Sequence, residues 1–198
     1  MPHWRTENAT YFITFRLAGS LPKILSRERE VLKQEIIECA QRNNRPLTIF
    51  ELDELEELHF EETRLKPFDH DARFLENERI ASIVSEVLTI FEGIRYNLFA
   101  WSIMPNHVHV VVRPFPNFTL SSIVHSWKRV SALKVNRLKK TKGSFWQEEY
   151  YDHLIRDEAD LTRCIQYTFD NPEKAALKNW SWKWKCEIEE SISKAFPE

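Results

Sequence analysis

The sequence predicts an α+β fold, a central antiparallel sheet with helices packed on it. Three observations predict it. Two β-rich segments, Tyr96 to Ile103 and His107 to Val112, follow one another across a tight Met104-Pro105-Asn106 turn, the pattern of an antiparallel hairpin. A third segment, Thr10 to Leu17, is built of β-branched and aromatic residues. Elsewhere apolar residues recur at helical spacing over long stretches.

In chain order, the first strand is closed by Gly19-Ser20-Leu21-Pro22. A helix is expected from Ser26 to about Arg42, with Val31, Leu32, Ile36 and Cys39 near helical spacing. The character then changes. Seven acids and no Lys or Arg lie between Glu51 and Glu62. This reads as an acidic helical insertion over about 43–75, either a solvated helix face or a cover for a basic groove. Lys66 to Asp71 reads as a loop. Asn77 to Phe91 is a second core helix, with Ile80, Ile83, Val84, Val87, Leu88 and Phe91 forming its apolar stripe.

After the hairpin a long helix is expected from about Thr119 to Leu138. One face carries Leu120, Ile123, Val124, Trp127, Val130 and Leu133. The other is basic: Lys128, Arg129, Lys134, Arg137, Lys139, Lys140 and Lys142 occur with no acid among them. Such a run is either a solvated face or the footprint of phosphate-backbone binding. Tyr150 to Ile155 is a short strand. Asp157 is placed to cap a helix whose apolar face is Leu161, Cys164, Ile165, Thr168 and Phe169. That helix is expected to stop near Asn171, because Pro172 disfavours the α conformation in the residue before it. The remainder is a tail with Trp180, Trp182 and Trp184, which either packs back on the domain or stacks on single-stranded bases. The organisation expected is therefore one domain over 1–177 and a Trp-rich tail over 178–198.

Composition narrows the function. With 198 residues, 42% hydrophobic and 13% aromatic, the chain can bury a full core. Three glycines leave no glycine-rich phosphate loop. Three separated cysteines argue against a zinc ribbon or disulfide scaffold and suit a reducing cytosol. No apolar run has membrane-spanning length and no signal-peptide pattern opens the chain, so a cytoplasmic protein without a membrane partner is expected. A net charge of −2 gives no reason by itself to expect nucleic acid.

The chemistry centres on His107-Val108-His109. Side chains alternate along a strand, so the two imidazoles share a face, roughly 7 Å apart at Cα, while Val108, Val110 and Val112 face the other way. Such a pair can converge on one divalent ion; solvated or hydrogen-bonded histidines are the other reading. Tyr167 and Asn171, four apart, share a helix face.

In four places the chain resembles the single-tyrosine HUH transposases, and within them the REP-associated tyrosine transposases. These are Met104-Pro105-Asn106-His107-Val108-His109; His125-Ser126-Trp127-Lys128; Trp146-Gln147-Glu148-Glu149-Tyr150-Tyr151-Asp152-His153; and Asp157-Glu158-Ala159-Asp160-Leu161 leading to Tyr167 and Asn171-Pro172. The resemblance covers about Trp4 to Leu177 and is weakest in the acidic insertion. It implies a ferredoxin-like (RRM-like) HUH nuclease fold. It also implies a metal-dependent single-stranded DNA endonuclease and strand transferase acting on hairpin-type repeats through a 5′-phosphotyrosine. His107, His109 and Asn171 would hold Mg²⁺ or Mn²⁺, Asn171 standing where many relatives have Gln, and Tyr167 would be the nucleophile. Lys128, Arg129, Lys134, Arg137, Lys139 and Lys140 would hold phosphates, and Trp146 would stack on bases. The partner implied is single-stranded or hairpin DNA, bound by a monomer or homodimer.

Tyr96, Tyr150 and Tyr151 are rival nucleophiles and His153 a rival ligand. Two other functions remain: a catalytically silent DNA-binding protein derived from a transposase, and a zinc hydrolase joining the His pair to His153 or His125.

Overall fold

The computed structural model describes residues 9–18, scattered positions between 34 and 45, and 70–196. The chain divides into two compact units, Gly19–Ala72 and the joined segments Met1–Ala18 and Arg73–Glu198. In the first unit, the described positions from Gln34 to Arg42 are helical apart from those left undescribed between them, with Glu38 accepting from Gln34 and pairing with Arg42. The acidic run between Glu51 and Glu62, and the Lys66–Asp71 loop apart from the backbone of its last two residues, lie outside the described residues.

The second unit holds a five-stranded sheet in the order β4-β1-β3-β2-β5, every neighbouring pair antiparallel. The strands are β1 (Thr10–Arg16), β2 (Tyr96–Ile103), β3 (His107–Pro114), β4 (Tyr151–Ile155) and β5 (Lys183–Lys185). The helices are α1 (Glu78–Thr89), α2 (Leu120–Lys139), α3 (Glu158–Lys174) and α4 (Ile188–Ala195). The His strand β3 is central.

Strand alternation sorts the helices into two layers. Val108, Val110 and Val112 are fully buried with Ile13 and Phe15 of β1, and with Ile80, Val84 and Leu88 of α1 and Ile123, Val124 and Trp127 of α2. On the opposite face Val111 packs with Phe99, Ala100 and Ile155 against Leu161, Cys164 and Ile165 of α3 and Ala195 of α4. A bulge between Leu98 and Ala100 sets Phe99 and Ala100 together opposite Val111, thickening this second layer of core. Helices therefore cover both faces.

Asp157 is the cap read from sequence, and Asn77 and Thr119, where two other helices are expected to begin, are caps as well. Asn77, Thr119 and Asp157 each accept a hydrogen bond from a first-turn N–H, satisfying donors that have no partner within the helix. The end of α3 differs from expectation. It passes through Pro172 to Lys174 and closes in a Schellman arrangement: Leu177 N–H donates to Pro172 O at 2.9 Å, and Ala176 N–H to Glu173 O at 2.9 Å, with Ala176 left-handed at φ 57°. Pro172 is buried, so its packing offsets the helical hydrogen bond its ring removes. Asn171 thus lies inside the helix rather than capping it.

The Trp-rich segment packs back on the domain. Trp184 of β5 pairs with Trp101 of β2, Ile103 N–H donates to Trp182 O, and Trp180 Nε1 donates to Ile103 O at 2.7 Å. Among its three tryptophans only Trp184, at 38%, is exposed. The helix α4 that follows was not expected from sequence.

Candidate active site on the histidine face

Register places His107 and His109 on the face of β3 that α3 covers. Arg16 lies opposite His107, while Thr14 and Ser102 flank His109. Both imidazoles are buried. Their Nε2 atoms approach to 3.0 Å. Their other nitrogens are held: His107 Nδ1 lies 2.6 Å from Asn106 Oδ1, and His109 Nδ1 lies 2.7 Å from Thr14 Oγ1. Partners at Nδ1 orient an imidazole so that Nε2 is the ligating atom. Phe12 stacks on the His109 ring at 5.5 Å, stiffening it from the β1 side.

Tyr167 reaches this pair from α3, which packs over β2, β3 and β5. Its ring meets His109 edge-on at 5.4 Å and Phe12 at 5.5 Å. Asn171, one turn on, is buried, and the Lys174 ammonium sits 5.6 Å from the Tyr167 ring centroid. The Ser102 and Thr168 hydroxyls are buried on these elements without a hydrogen-bond partner among the described residues. The two convergent nitrogen donors, with the Asn171 amide one turn beyond Tyr167 on the covering helix, make a donor set that suits a hydrated divalent cation.

Tyr96 and Tyr150 pack with the core on the opposite face, whereas Tyr151 pairs with Thr14 across β4 and β1 and its ring lies 6.2 Å from Phe12, beside the histidine face. Tyr96 donates to Leu88 O and accepts from Trp127 Nε1 inside the opposite core, and burial raises its pKa. Burial pushes the Tyr150 phenol far up, with Asp152 and Glu149 adding to it. Tyr151 is raised further by burial, then by Cys164 and Asp152.

His153 is engaged elsewhere. Its Nε2 lies 2.9 Å from Asp160 Oδ2, and Arg163 bonds Asp160 Oδ1 at 3.2 Å. Burial raises the Asp160 pKa, but hydrogen bonds from His153 and Arg163, the His153 charge and the Arg156 N–H outweigh it and hold the carboxyl below its usual range. The ligand atoms of His153, Asp160 and Cys164 lie within 4.8 Å of one another, yet the Arg163 guanidinium already supplies a cation there. His125 is exposed on α2, across the sheet from the His pair.

Residues 71–171, about half the chain, match the sequence profile of the family described as Transposase IS200 like. The chain belongs to this family of transposases. A protein of Haemophilus influenzae, provisionally named a REP-associated tyrosine transposase, is 26% identical over 101 residues. That alignment covers 44% of this transposase and 57% of the relative, so the two are aligned over little more than half of the relative's length. A solved structure described as a REP-associated tyrosine transposase bound to a REP hairpin has the same fold, with a TM-score of 0.55 and 14% identity over 95% of this chain and 93% of its own. Among the described residues no helix of the transposase is long and apolar enough to cross a membrane.

The basic residues of α2 lie across the sheet from the His pair. Arg129, Arg137 and Lys140 are exposed. Lys134 pairs with Glu86 at 3.3 Å, and Lys139 lies over the Phe74 ring. Lys128 donates to Glu148 O at 2.6 Å, and burial lowers its pKa.

Trp146 corrects the sequence expectation. It is 5% exposed, packs edge-on against Phe15 at 4.8 Å and donates to Ser131 Oγ at 2.8 Å. Its ring belongs to the core and presents no face to a base.

Sequence reasoning missed Phe12 and Thr14, whose place beside His109 depends on sheet register. It missed Asn106 as a partner of His107, reading it only as a turn residue. It also missed two lysines on β5. Lys183 pairs with Glu173 at 2.7 Å and Lys185 donates to Gln166 at 3.1 Å, and their ammoniums lie 4.2 and 4.8 Å from the Phe169 centroid. These bonds fall on either side of Tyr167 along α3. Strict aromatic-basic alternation over 182–185 was the available signal.

Proposed function

We propose that the chain is a metal-dependent single-stranded DNA endonuclease and strand transferase, acting on hairpin-type repeats through a 5′-phosphotyrosine on Tyr167. The observation that carries the reading is the 3.0 Å approach of two oriented Nε2 atoms, with the one neighbouring helix tyrosine packed edge-on against His109. His107, His109 and Asn171 hold a divalent ion, Mg²⁺ or Mn²⁺; when bound, it supplies electrophilic activation of the scissile phosphate. A site of two imidazoles and an amide is softer than an all-oxygen one and favours Mn²⁺ in vitro.

Tyr167 Oη attacks phosphorus in line. The new bond joins its oxygen to the 5′ phosphate; the bond to the 3′ oxygen breaks, and that oxygen takes up a proton as a free 3′-OH. The phenol proton, ordinarily lost near pH 10, leaves as the attack proceeds. The phosphodiester stored on Tyr167 then passes to another 3′-OH by the reverse step, with no external energy source. Lys174 adds a positive charge beside the tyrosine. On the other face of the sheet the exposed cations of α2, Arg129, Arg137 and Lys140, with Lys128, Lys134 and Lys139 nearby, hold backbone phosphates of the hairpin away from the cut. A hairpin partner is supported by the related solved structure, described as bound to one.

The test is incubation of wild type and Tyr167→Phe with labelled hairpin oligonucleotides bearing an unpaired flank, plus Mn²⁺. Wild type is expected to form a covalent adduct visible on a denaturing gel, and Tyr167→Phe none. An adduct with the Phe variant overturns the nucleophile assignment. A wild type that binds the hairpin but never forms an adduct is a catalytically silent DNA-binding protein.

A further inference from the structure

We infer that Thr14 is a positioning residue that sets the tautomer of His109 and lets it change when an ion is bound. The inference rests on the metal reading of the His pair given above.

Asn106 fixes the direction of the hydrogen bonds. Its Oδ1 lies 2.6 Å from His107 Nδ1, and a carboxamide oxygen only accepts, so with both rings neutral His107 carries its hydrogen on Nδ1 and its lone pair on Nε2. His109 Nε2 is 3.0 Å from that lone pair. Two lone pairs cannot face one another at this distance, so the hydrogen between them belongs to His109 Nε2. The lone pair of His109 is then on Nδ1, and it accepts from the Thr14 hydroxyl at 2.7 Å. The donors run in one direction: Thr14 to His109, His109 to His107, His107 to Asn106. All of these groups are buried, where each unpaired polar atom is costly.

The ring positions suit ligation, but this tautomer of His109 suits the His pair alone. With a divalent ion held by both Nε2 lone pairs, the His109 ring proton has to lie on Nδ1. The proton count of the ring does not change; one N–H bond is broken and another is formed. Nδ1–H then needs an acceptor where it previously needed a donor. A hydroxyl fills both roles by rotating about its C–O bond, and few other side chains do. Position 14 is the cross-strand partner of His109 in the β1–β3 register, so the hydroxyl is delivered by the sheet itself. Valine there would keep the volume and the β propensity and offer neither role.

Two measurements on purified full-length protein test this. In ¹⁵N-histidine-labelled protein without added metal, long-range ¹H–¹⁵N correlations are expected to report His109 as the Nε2–H tautomer; with Mg²⁺ they report Nδ1–H. In Mn²⁺ titrations followed by electron paramagnetic resonance, Thr14→Val is expected to bind on the order of 10–100-fold more weakly, as for loss of a ligand's outer hydrogen bond. Thr14→Ser is expected to bind close to wild type. An Nδ1–H tautomer in the absence of metal overturns the inference. So does Mn²⁺ affinity in Thr14→Val equal to wild type while His109→Ala binds poorly; the metal reading then survives and only the role of Thr14 falls. Wild type and His109→Ala binding Mn²⁺ equally poorly overturns the metal reading and this inference together.

Discussion

Replacing Asp160 with asparagine removes the charge at the junction of β4 and α3 while keeping side-chain shape. Asp160 is 0% exposed. One of its oxygens receives His153 at 2.9 Å and the Arg156 N–H at 3.4 Å; the other receives Arg163 at 3.2 Å. Asparagine has one accepting oxygen, so its NH₂ faces either Arg163, which only donates, or His153, which then has to present an accepting nitrogen. Hydrogen bonds to charged groups contribute about 1.5–3 kcal/mol. Arg163 is a third exposed and its share is screened, so the net loss is about 2–3 kcal/mol. That corresponds to a fall in Tm of roughly 4–12 °C for a chain of this size.

The pH dependence has a definite sign. The Asp160 pKa is depressed on folding, so its contribution is full above the unfolded value, about 3.9. It is lost as pH falls through the lower folded value. Urea unfolding of wild type and Asp160→Asn at pH 7 and at steps from pH 5 to 3 measures both features. The gap between the two proteins is expected to close toward pH 3, as the carboxyl takes up its proton. A gap under 0.5 kcal/mol at pH 7, on the order expected for an inert surface change, would refute the reasoning, as would a gap undiminished at pH 3.

Trp146→Ala is expected to cost about 3–5 kcal/mol in urea unfolding, whereas Trp184→Ala, at the exposed edge, stays within about 0.5 kcal/mol. Lys183→Ala with Lys185→Ala loosens α3, since exposed ion pairs and cation–π contacts contribute up to about 1 kcal/mol each; amide exchange in α3 should quicken while that in α1 does not. Neutralising Arg129, Arg137 and Lys140 together should weaken hairpin binding and lower the salt slope by about one for each phosphate no longer neutralised. Chelation of divalent ions should abolish adduct formation and added Mn²⁺ should restore it.

Local pattern made most of the fold legible. Alternation in His107 to Val112 put the histidines on one face and the valines on the other, and helices cover both faces. Asp157 marked a helix start because a side-chain oxygen there is the nearest partner for first-turn donors. Tertiary packing defeated the rest. Pro172 normally ends a helix, yet burial and the Schellman bonds carry α3 past it. The short α4 was hidden behind a tryptophan-rich segment that reads in sequence as one continuous tail. The resemblance implied a DNA contact for Trp146, but its strand-like bridge to Leu17 turns it inward. The partners of His109 could not be read at all, because Thr14 lies 95 residues away and only the β1–β3 register brings it near.

The most direct test of the central claim is peptide mapping of the covalent DNA adduct. Trypsin should release the peptide running from Cys164 to Lys174, whose sole tyrosine is Tyr167. After nuclease trimming, mass spectrometry should find the residual 5′-nucleotide on Tyr167 and on no other residue. A nucleotide on Tyr150 or Tyr151 would contradict the account, because it would separate the chemistry from the helix that packs against His107 and His109.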